Sequence, residues 1–274
     1  MLIRHEGIKL KVDPADSYHR IFIKAAVKRR IGRFIGHHYR TDDYLLLAYR
    51  TLQTVKNPVV VDVGCNIGTT VLPLASRFPE GTFVAIDAHP IPLARMIENV
   101  RLNKLKNVGV VAAGISDEGK MTRIYTCPFN SGAHRLSGFE GRADVAAAGP
   151  NYDNITVAVL SLREVMLAHN VDRCDLLKID VEGFELRVLK SLRDWLCPQR
   201  IPSIVCEWGA ECSRAVGSTG WGMVAFMRRL GYQCRDLHSG SPIQTEADIP
   251  DLDDFTTTDF LFTGGALRSE FRAC

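Results

Sequence analysis

The stretch Val61-Asp62-Val63-Gly64-Cys65-Asn66-Ile67-Gly68 decides the fold of this chain. It completes an apolar segment that begins at Pro58, and it leads into a segment of helical character, Thr69 to Phe78. A strand that enters a glycine-bearing turn and then a helix is how open α/β sheets build a nucleotide pocket. Gly64 permits the sharp turn and close approach of a ligand, and Gly68 lets the helix pack tightly on its strand.

The turn lacks the glycine order of a dinucleotide-binding fold. That order, G-x-G-x-x-G, seats a pyrophosphate on the helix N-terminus, and its second and third places are Asn66 and Thr69 here. A dehydrogenase is therefore disfavoured. The spacing Asp62-x-Gly64-x-Asn66-x-Gly68 instead resembles the first motif of S-adenosylmethionine-dependent methyltransferases. A plain α/β domain without a ligand is the alternative that this stretch leaves open.

The next two strand ends supply further polar groups. Thr82 to Ile86 is predicted as a buried strand with Asp87 at its carboxyl end, where an acid can accept two hydrogen bonds from a ribose diol. A third strand, Val108 to Ala112, precedes the stretch Ala113–Asp117, which we expect beside the adenine. Within it, Ser116 and Asp117 either bind the exocyclic amine or shape a turn.

A second segment carries the candidate catalytic acids. Asp175 to Ile179 is predicted as a central strand that delivers Asp180 to its carboxyl end, where ligands bind in open parallel sheets. Glu182 is two residues further on, so an extended backbone directs both side chains to one face. A short strand, Ile204 to Cys206, places Glu207 at the same edge. We therefore expect three acids in one pocket; alternatively, Asp180 caps the next helix and Glu182 pairs with a surface lysine.

Composition agrees with one domain of this kind. The chain has 274 residues, 46% of them hydrophobic, which is enough for one α/β core plus an extension. We expect an N-terminal extension or cap over 1–57 and the main domain over 58–274. The formal charge of +3 is too small to indicate a polyanionic partner. Eight cysteines without a C-x-x-C pair indicate reduced thiols and a cytoplasmic protein, and no apolar run predicts a membrane span.

Taken together, the motifs resemble the FkbM-type methyltransferase family. Its signatures Asp-Val-Gly-x-Asn-Ile-Gly and Lys-Ile-Asp-x-Glu-Gly-x-Glu stand here at Asp62–Gly68 and Lys178–Glu185. The chain departs from the family at Asp87-Ala88-His89-Pro90, where Glu-Pro-Asn is more usual. Further likenesses are Asn99, Asn103, Ser116-Asp117 and Asn130-Ser131-Gly132.

This resemblance implies a fold, a cofactor and a reaction. The fold is a Rossmann-like α/β methyltransferase fold, with a seven-stranded mixed sheet, helices on both faces and an antiparallel last strand. The reaction is transfer of a methyl group from S-adenosylmethionine to a hydroxyl of a small molecule, often a sugar, glycan or natural product. The expected cofactor-binding residues are Asp62, Gly64, Asn66, Gly68, Asp87, Ser116, Asp117 and Asp180.

Two mechanisms are compatible with the clustered acids. In one, Asp180 or Glu182 removes the hydroxyl proton as a general base, with His134 as a further candidate. In the other, Asp180, Glu182 and Glu207 hold Mg²⁺, which lowers the pKa of the acceptor hydroxyls. The spacing alone does not separate a metal site from a base.

The long loop from Cys127 to Tyr152 is expected to select the acceptor. Arg135 and Arg142 in that loop either bind a phosphate or carboxylate of the acceptor or lie in solvent. Homo-oligomerisation stays open.

Two rival functions remain at this stage. A nucleic-acid methyltransferase, served by the basic N-terminal residues, is disfavoured because an amino-group methyltransferase would carry an Asn/Asp-Pro-Pro-aromatic motif where Asp180–Gly183 stand. A non-catalytic binding module that keeps the cofactor fold is the other rival, because a fold does not guarantee activity.

Overall fold

The turn Gly64–Gly68 follows a buried strand in the computed structural model of the chain. The structure describes residues 1–34, 43–127, 130–134, 136, 155–253 and 256–264. In these ranges the strands are β1 (Leu2–His5), β2 (Ile8–Lys11), β3 (Val59–Val63), β4 (Thr82–Asp87), β5 (Val108–Ala112), β6 (Gly114–Ile115), β7 (Lys120–Ile124), β8 (Ile155–Leu160), β9 (Leu176–Ile179), β10 (Ser203–Gly209), β11 (Tyr232–Asp236) and β12 (Thr257–Gly264). The α-helices are α1 (Ser17–Phe34), α2 (Asp43–Leu52), α3 (Val71–Arg77), α4 (Pro90–Leu102), α5 (Leu162–Ala168), α6 (Glu185–Ser191), α7 (Ala210–Ala215) and α8 (Gly220–Arg229).

Seven of the strands form one mixed sheet in the order β11–β12–β10–β9–β3–β4–β5. Strands β10, β9, β3, β4 and β5 run parallel to one another. The last strand, β12, runs antiparallel to both of its neighbours. The expected Rossmann-like sheet with an antiparallel last strand is therefore confirmed. The β1–β2 hairpin and a small sheet, β6–β8–β7, lie outside it.

Helices cover both faces of the large sheet. Val61 and Val63 of β3 pack in a core layer with side chains from α5, α6 and α8. Val60 packs in a second layer, with side chains from α2, α3 and α4. Alternate residues of one strand face opposite sides, so a run of apolar residues interrupted only by Asp62, as in β3, is typical of a strand buried on both faces.

The described residues among the first 57, which are 1–34 and 43–57, pack onto the second of these layers. Strand β2 lies beside α4, and two asparagine side chains bind its backbone in place of a neighbouring strand. The Asn103 Oδ1 atom accepts from Lys9 N at 2.8 Å, and its Nδ2 atom donates to Lys9 O at 2.7 Å. Asn99 Oδ1 accepts from Lys11 N at 2.7 Å, while its Nδ2 atom donates to Ile67 O in the glycine turn at 3.0 Å. The boundary between an N-terminal extension over 1–57 and a main domain over 58–274 stays a prediction.

One strand end differs from the sequence prediction in a way that matters for the site. Strand β10 continues to Gly209, so Glu207 lies within the strand rather than beyond it. Its neighbour across the antiparallel pair is Asp259 of β12. Among the described residues, no helix has the length and apolar character needed to cross a membrane.

Candidate functional site

A cavity of about 400 Å³ opens at the carboxyl ends of β9, β3 and β4. Its volume is in the range of small-molecule sites, roughly 300 to 1,000 Å³. Seven of the candidate catalytic, cofactor-binding and metal-binding residues line it: Gly64, Asn66, Asp87, His134, Asp180, Glu182 and Glu207. The structure therefore brings both sequence motifs to one place.

Each of the two glycines of the turn lies in close contact with a neighbouring part of the chain. Gly64 has φ +88°, and a Cβ atom there would collide with the backbone carbonyl oxygen of Asp180. Gly68 has φ +87°, and a Cβ atom there would collide with Met96 and Leu72. The second contact confirms the expected tight packing behind the turn. The first gives Gly64 a further reason to be glycine, because the Asp180 backbone lies close to it, and the expected approach of a ligand stays a prediction.

Asp87 lines the cavity from the end of β4. Its Oδ2 atom accepts from Asn66 N at 2.9 Å and its Oδ1 atom accepts from His89 N at 2.8 Å. Burial raises the pKa of Asp87 to about 6, although both backbone bonds act in the opposite direction. The carboxylate is thus held rigidly, and its remaining lone pairs are available to a ligand.

The acids Asp180 and Glu182 reach the cavity from a turn and not from an extended strand. Strand β9 ends at Ile179, and Glu182 has φ +53° in the left-handed region. The argument from alternating side chains is therefore wrong, although both carboxyl groups do line the cavity. Glu185 stabilises this turn, because its Oε1 atom accepts from Val181 N at 3.2 Å and Gly183 N at 3.0 Å.

Lys178 neutralises one of the acids from inside the sheet. Its Nζ atom lies 2.7 Å from Asp180 Oδ2. Although burial lowers it, the pKa of Lys178 is raised well above its usual range by the Asp180 and Asp62 carboxylates. Lys178 therefore stays protonated in this buried position and fixes the orientation of Asp180.

The three acids do not form a metal-binding group. Within the described ranges, no set of three or more His, Cys, Asp or Glu side chains is placed to hold a metal ion. Each carboxyl is already engaged by a side-chain donor: Lys178 Nζ on Asp180 (2.7 Å), Cys212 Sγ on Glu182 (3.1 Å) and Thr257 Oγ1 on Glu207 (3.0 Å). Mg²⁺ needs near-octahedral oxygen ligands at about 2.0–2.1 Å. The Mg²⁺ site at Asp180, Glu182 and Glu207, which the sequence leaves open as an alternative, is therefore not supported.

Four other predicted site residues do not line the cavity. Asp62 is fully buried in β3, where its Oδ2 atom accepts from Thr70 Oγ1 at 2.5 Å. Gly68 ends the turn and packs against Met96 and Leu72. Ser116 donates to Asp117 Oδ1 at 3.0 Å, and Asp117 forms an ion pair with Arg187 at 3.4 Å. The wall next to β5 is instead lined by the first half of the predicted stretch, Ala113, Gly114 and Ile115.

His134 lines the cavity but is not arranged as a base. Its Nδ1 atom accepts from Cys127 N at 3.0 Å, which leaves the proton on Nε2. The ring stacks on His89, with centroids 3.8 Å apart. Burial, with a smaller contribution from His89, lowers the pKa of His134 to about 3. A ring with so low a pKa is a weak proton acceptor near pH 7, and its free N–H group is a donor. Arg135 and Arg142 lie outside the described residues.

Four residues line the cavity that the sequence analysis did not predict, two of them in the N-terminal segment. Tyr18 and Ile21 of α1 line the cavity, as do Ile124 and Thr257. Asp16 caps α1 through Oδ1, and its Oδ2 atom accepts from Ser131 N at 3.1 Å in the cavity wall. None of these four lining residues belongs to a motif, so the sequence carries no local signal for them.

Comparison with known proteins gives the family. A family model described as the methyltransferase FkbM domain matches residues 62–234, which is more than half of the chain. The chain belongs to the FkbM methyltransferase family. It is therefore an S-adenosylmethionine-dependent methyltransferase of FkbM type.

Individual matches to this FkbM methyltransferase are distant. Methyltransferase sdnD of Sordaria araneosa is 29% identical over 61% of the chain and 71% of its own length. The 31-O-demethyl-FK506 methyltransferase FkbM of Streptomyces tacrolimicus is 31% identical over 54% of the chain, which spans 64% of that relative. Among solved structures, the METTL16 MTase domain aligns with 94% of the chain and 74% of its own, at 12% identity and a TM-score of 0.46.

The cavity of this FkbM methyltransferase fits S-adenosylmethionine chemically. The strand order places an apolar wall after β5, the Asp87 carboxylate at β4, the open glycine turn at β3 and acids after β9. An adenine base, a ribose diol and a cationic sulfonium with an amino-acid end require these surroundings in the same order. The described residues that would hold the cofactor are Gly64, Asn66, Asp87, Ala113, Ile115 and Asp180.

Proposed function

We propose that this FkbM methyltransferase methylates a hydroxyl group of a small molecule, a sugar, glycan or natural product. The observation that carries the proposal is the acid-lined end of the cofactor cavity, where Asp180, Glu182 and Glu207 converge beside the glycine turn. A hydroxyl that attacks a methyl group must lose its proton, and a carboxylate within hydrogen-bond reach can take it. The relative named 31-O-demethyl-FK506 methyltransferase is consistent with this reaction.

When bound, S-adenosylmethionine supplies an electrophilic methyl group. The protein's part is to hold the acceptor oxygen in line with it, which can contribute roughly 7–11 kcal/mol of the barrier. Asp87 and Asn66 orient the cofactor side of the cavity, and Asp180 and Glu182 face the acceptor. Lys178 keeps Asp180 in place, and Cys212 does the same for Glu182.

We assign the general base to the Asp180–Glu182 turn and not to His134 or a bound metal ion.

The seven cysteines that the structure describes are free thiols, which supports a cytoplasmic setting. An acceptor that bears phosphate or carboxylate would be repelled by the carboxyl groups of Asp180, Glu182 and Glu207 in the cavity. It would need a cationic partner, for which Arg135 and Arg142 are the candidates from the sequence.

Calorimetry with S-adenosylmethionine and S-adenosylhomocysteine tests the cofactor part of the proposal. We expect micromolar binding that Asp87→Ala weakens at least tenfold, with the exposed Glu80→Ala as the control that leaves it unchanged. No binding by the well-folded native chain would leave a non-catalytic module as the better explanation.

A radiolabelled methyl-transfer screen tests the acceptor class. Neutral sugars, sugar phosphates, macrolide alcohols and tRNA should be compared, each with Mg²⁺ and with EDTA. We expect turnover with a hydroxyl compound at equal rates in both buffers, reduced at least a hundredfold in Asp180→Asn. Turnover with tRNA alone would overturn the proposal in favour of a nucleic-acid methyltransferase.

A further inference from the structure

Residues 130–134 and 136 line the half of the cavity that lies away from the acids. The acids Asp180 and Glu207 belong to the β9 and β10 side of β3, whereas β4 and β5 lie on its other side. The contacts of the segment follow that second side in order: Ser131 Oγ with Asn66 Nδ2 at 3.3 Å after β3, His134 with His89 after β4, and Leu136 with the Cβ position of Gly114 at 3.0 Å after β5. The segment therefore faces the adenosine part of the cofactor rather than the acceptor.

The His134 ring presents one hydrogen-bond donor that the protein leaves unused. Its Nδ1 atom accepts from Cys127 N at 3.0 Å, and a backbone N–H group only donates, so the proton of the neutral ring lies on Nε2. Among the residues that the structure describes, none accepts a hydrogen bond from Nε2. The ring is partly exposed and lines the cavity. Its N–H group is therefore available to a ligand.

His89 fixes the orientation of the His134 ring. Its own ring is fully buried, accepts from Ile91 N through Nδ1 at 3.3 Å, and donates from Nε2 to Thr126 Oγ1 at 3.0 Å. The two imidazole rings stack with centroids 3.8 Å apart and 21° between their planes. Position 89 is one at which the chain departs from the FkbM pattern, where asparagine is more usual. Asparagine caps a helix equally well but has no ring to stack.

Adenine is the part of the cofactor whose chemistry matches this donor. The ribose hydroxyls are donors that the Asp87 carboxylate at the end of β4 can accept. The base belongs against the apolar wall of Ala113 and Ile115 after β5. Its ring nitrogens N1, N3 and N7 only accept hydrogen bonds. A fixed N–H group between the loops after β4 and β5 is therefore placed to recognise one of them.

We propose that His134 selects adenine by donating a hydrogen bond from Nε2 to one ring nitrogen of the cofactor's base, and that His89 positions His134 for that bond. A base without an acceptor at that point leaves the donor unpaired, so it binds more weakly. His134 thereby becomes a specificity-determining residue and not a base. The inference concerns the cofactor, so it goes beyond the proposed O-methylation and holds for any acceptor.

Calorimetry with S-adenosylhomocysteine and its 1-deaza, 3-deaza and 7-deaza analogues tests this inference without turnover. Each analogue replaces one ring nitrogen by a C–H group. His134→Asn can keep an acceptor for Cys127 N at the position of Nδ1 but lacks the Nε2 donor, whereas His134→Gln can place an N–H group near Nε2. We expect His134→Asn to weaken S-adenosylhomocysteine binding about threefold to tenfold and His134→Gln to restore part of the loss.

One deaza analogue should bind the native chain more weakly by a similar factor. That analogue alone should bind the native chain and His134→Asn equally. His238→Asn is the matched control, because His238 is exposed and contacts Asp43 at 2.9 Å away from the cavity. It should leave the affinity for every ligand unchanged, and urea denaturation shows that each variant is folded.

His89→Asn tests the positioning role, because it keeps the helix cap and removes the stacked ring. It should weaken S-adenosylhomocysteine binding, and His134→Asn should then add little; fully additive losses would overturn that role. Native affinity in His134→Asn, or an equal loss with S-adenosylhomocysteine and all of its analogues, would overturn the selection of adenine by His134. No binding by the folded native chain would overturn it as well. The measurement uses no acceptor, so a failure of the proposed O-methylation would leave this inference standing.

Discussion

The backbone carbonyl of Asp180 occupies the space that a side chain at Gly64 would need. Asp180 N also donates to Val63 O at 2.9 Å, so a backbone hydrogen bond joins the ends of β3 and β9 next to this contact. The two sequence signatures of the family, Asp62–Gly68 and Lys178–Glu185, are therefore in direct contact. The turn in the first signature sets the position of Asp180 in the second. This contact by itself requires glycine at position 64.

Gly64→Ala should destabilise the fold and abolish cofactor binding. The residue has φ +88°, which costs a side-chain-bearing residue about 1–2 kcal/mol. The new Cβ atom must in addition displace the Asp180 carbonyl. We expect the free energy of unfolding, measured by urea denaturation, to fall by about 3 kcal/mol or more.

Gly7→Ala is the matched control for that substitution. Gly7 also has φ +88°, but a Cβ atom there meets nothing within 4 Å. It should lose only the backbone contribution, about 1–2 kcal/mol, and bind the cofactor as the native chain does. Equal losses in the two variants would show that the Gly64–Asp180 contact contributes nothing of its own.

Cofactor binding should weaken in acid through Asp87. Burial raises its pKa to about 6, so the ionised carboxylate predominates at pH 7 and the neutral acid at pH 5. If only the ionised form accepts the ribose hydroxyls, the Kd of S-adenosylhomocysteine rises about tenfold between pH 7 and pH 5. Asp87→Asn should bind weakly with a flat profile over the same range. A native profile without this rise would remove Asp87 from the ligand contacts.

The sequence predicts the fold more fully than the site. The apolar residues of β3 and the acids Asp87 and Asp180 at the ends of β4 and β9 are local patterns, and each appears where the pattern places it. Glu207 does not, because β10 continues past it to Gly209. Thr257 and Tyr18 reach the cavity through long-range packing of β12 and α1, which no local pattern encodes. Likewise, the left-handed backbone at Glu182 overrides the alternation that an extended strand would give.

Glu185 should make the stability of the chain depend on pH near neutrality. Burial raises its pKa to about 7, against the backbone hydrogen bonds that it accepts. The folded state therefore keeps this proton up to a higher pH than the unfolded state, so its stability falls as pH rises from about 4.5 to 7. Gln keeps the acceptor oxygen without the charge. Relative to Glu185→Gln, the native chain should thus lose about 2–3 kcal/mol between pH 4.5 and pH 8.

Glu185→Ala separates the hydrogen bonds from the charge. It leaves Val181 N and Gly183 N without their acceptor, which costs about 1–3 kcal/mol at either pH. Urea denaturation at pH 5 and pH 8 distinguishes the two effects. A pH-independent difference between the native chain and Glu185→Gln would mean that Glu185 is ionised in the fold throughout this range.

Asp16→Ala should loosen the N-terminal cover of the cavity. The carboxylate caps α1 at Tyr18 N and His19 N, and it also holds Ser131 N at 3.1 Å. The Ser131 hydroxyl in turn lies 3.3 Å from Asn66 Nδ2 in the cofactor turn. Loss of the cap costs about 1–2 kcal/mol of stability.

The coupling from Asp16 through Ser131 to Asn66 should also weaken S-adenosylhomocysteine binding severalfold in Asp16→Ala. Asp13→Ala is the matched control, because Asp13 Oδ1 accepts from Ala15 N at 2.9 Å in the same segment. Its side chain makes no described hydrogen bond to the cavity wall, so it should change stability slightly and binding not at all. Calorimetry on both variants checks this, and native affinity in Asp16→Ala would show that the cofactor turn keeps its geometry without the N-terminal segment.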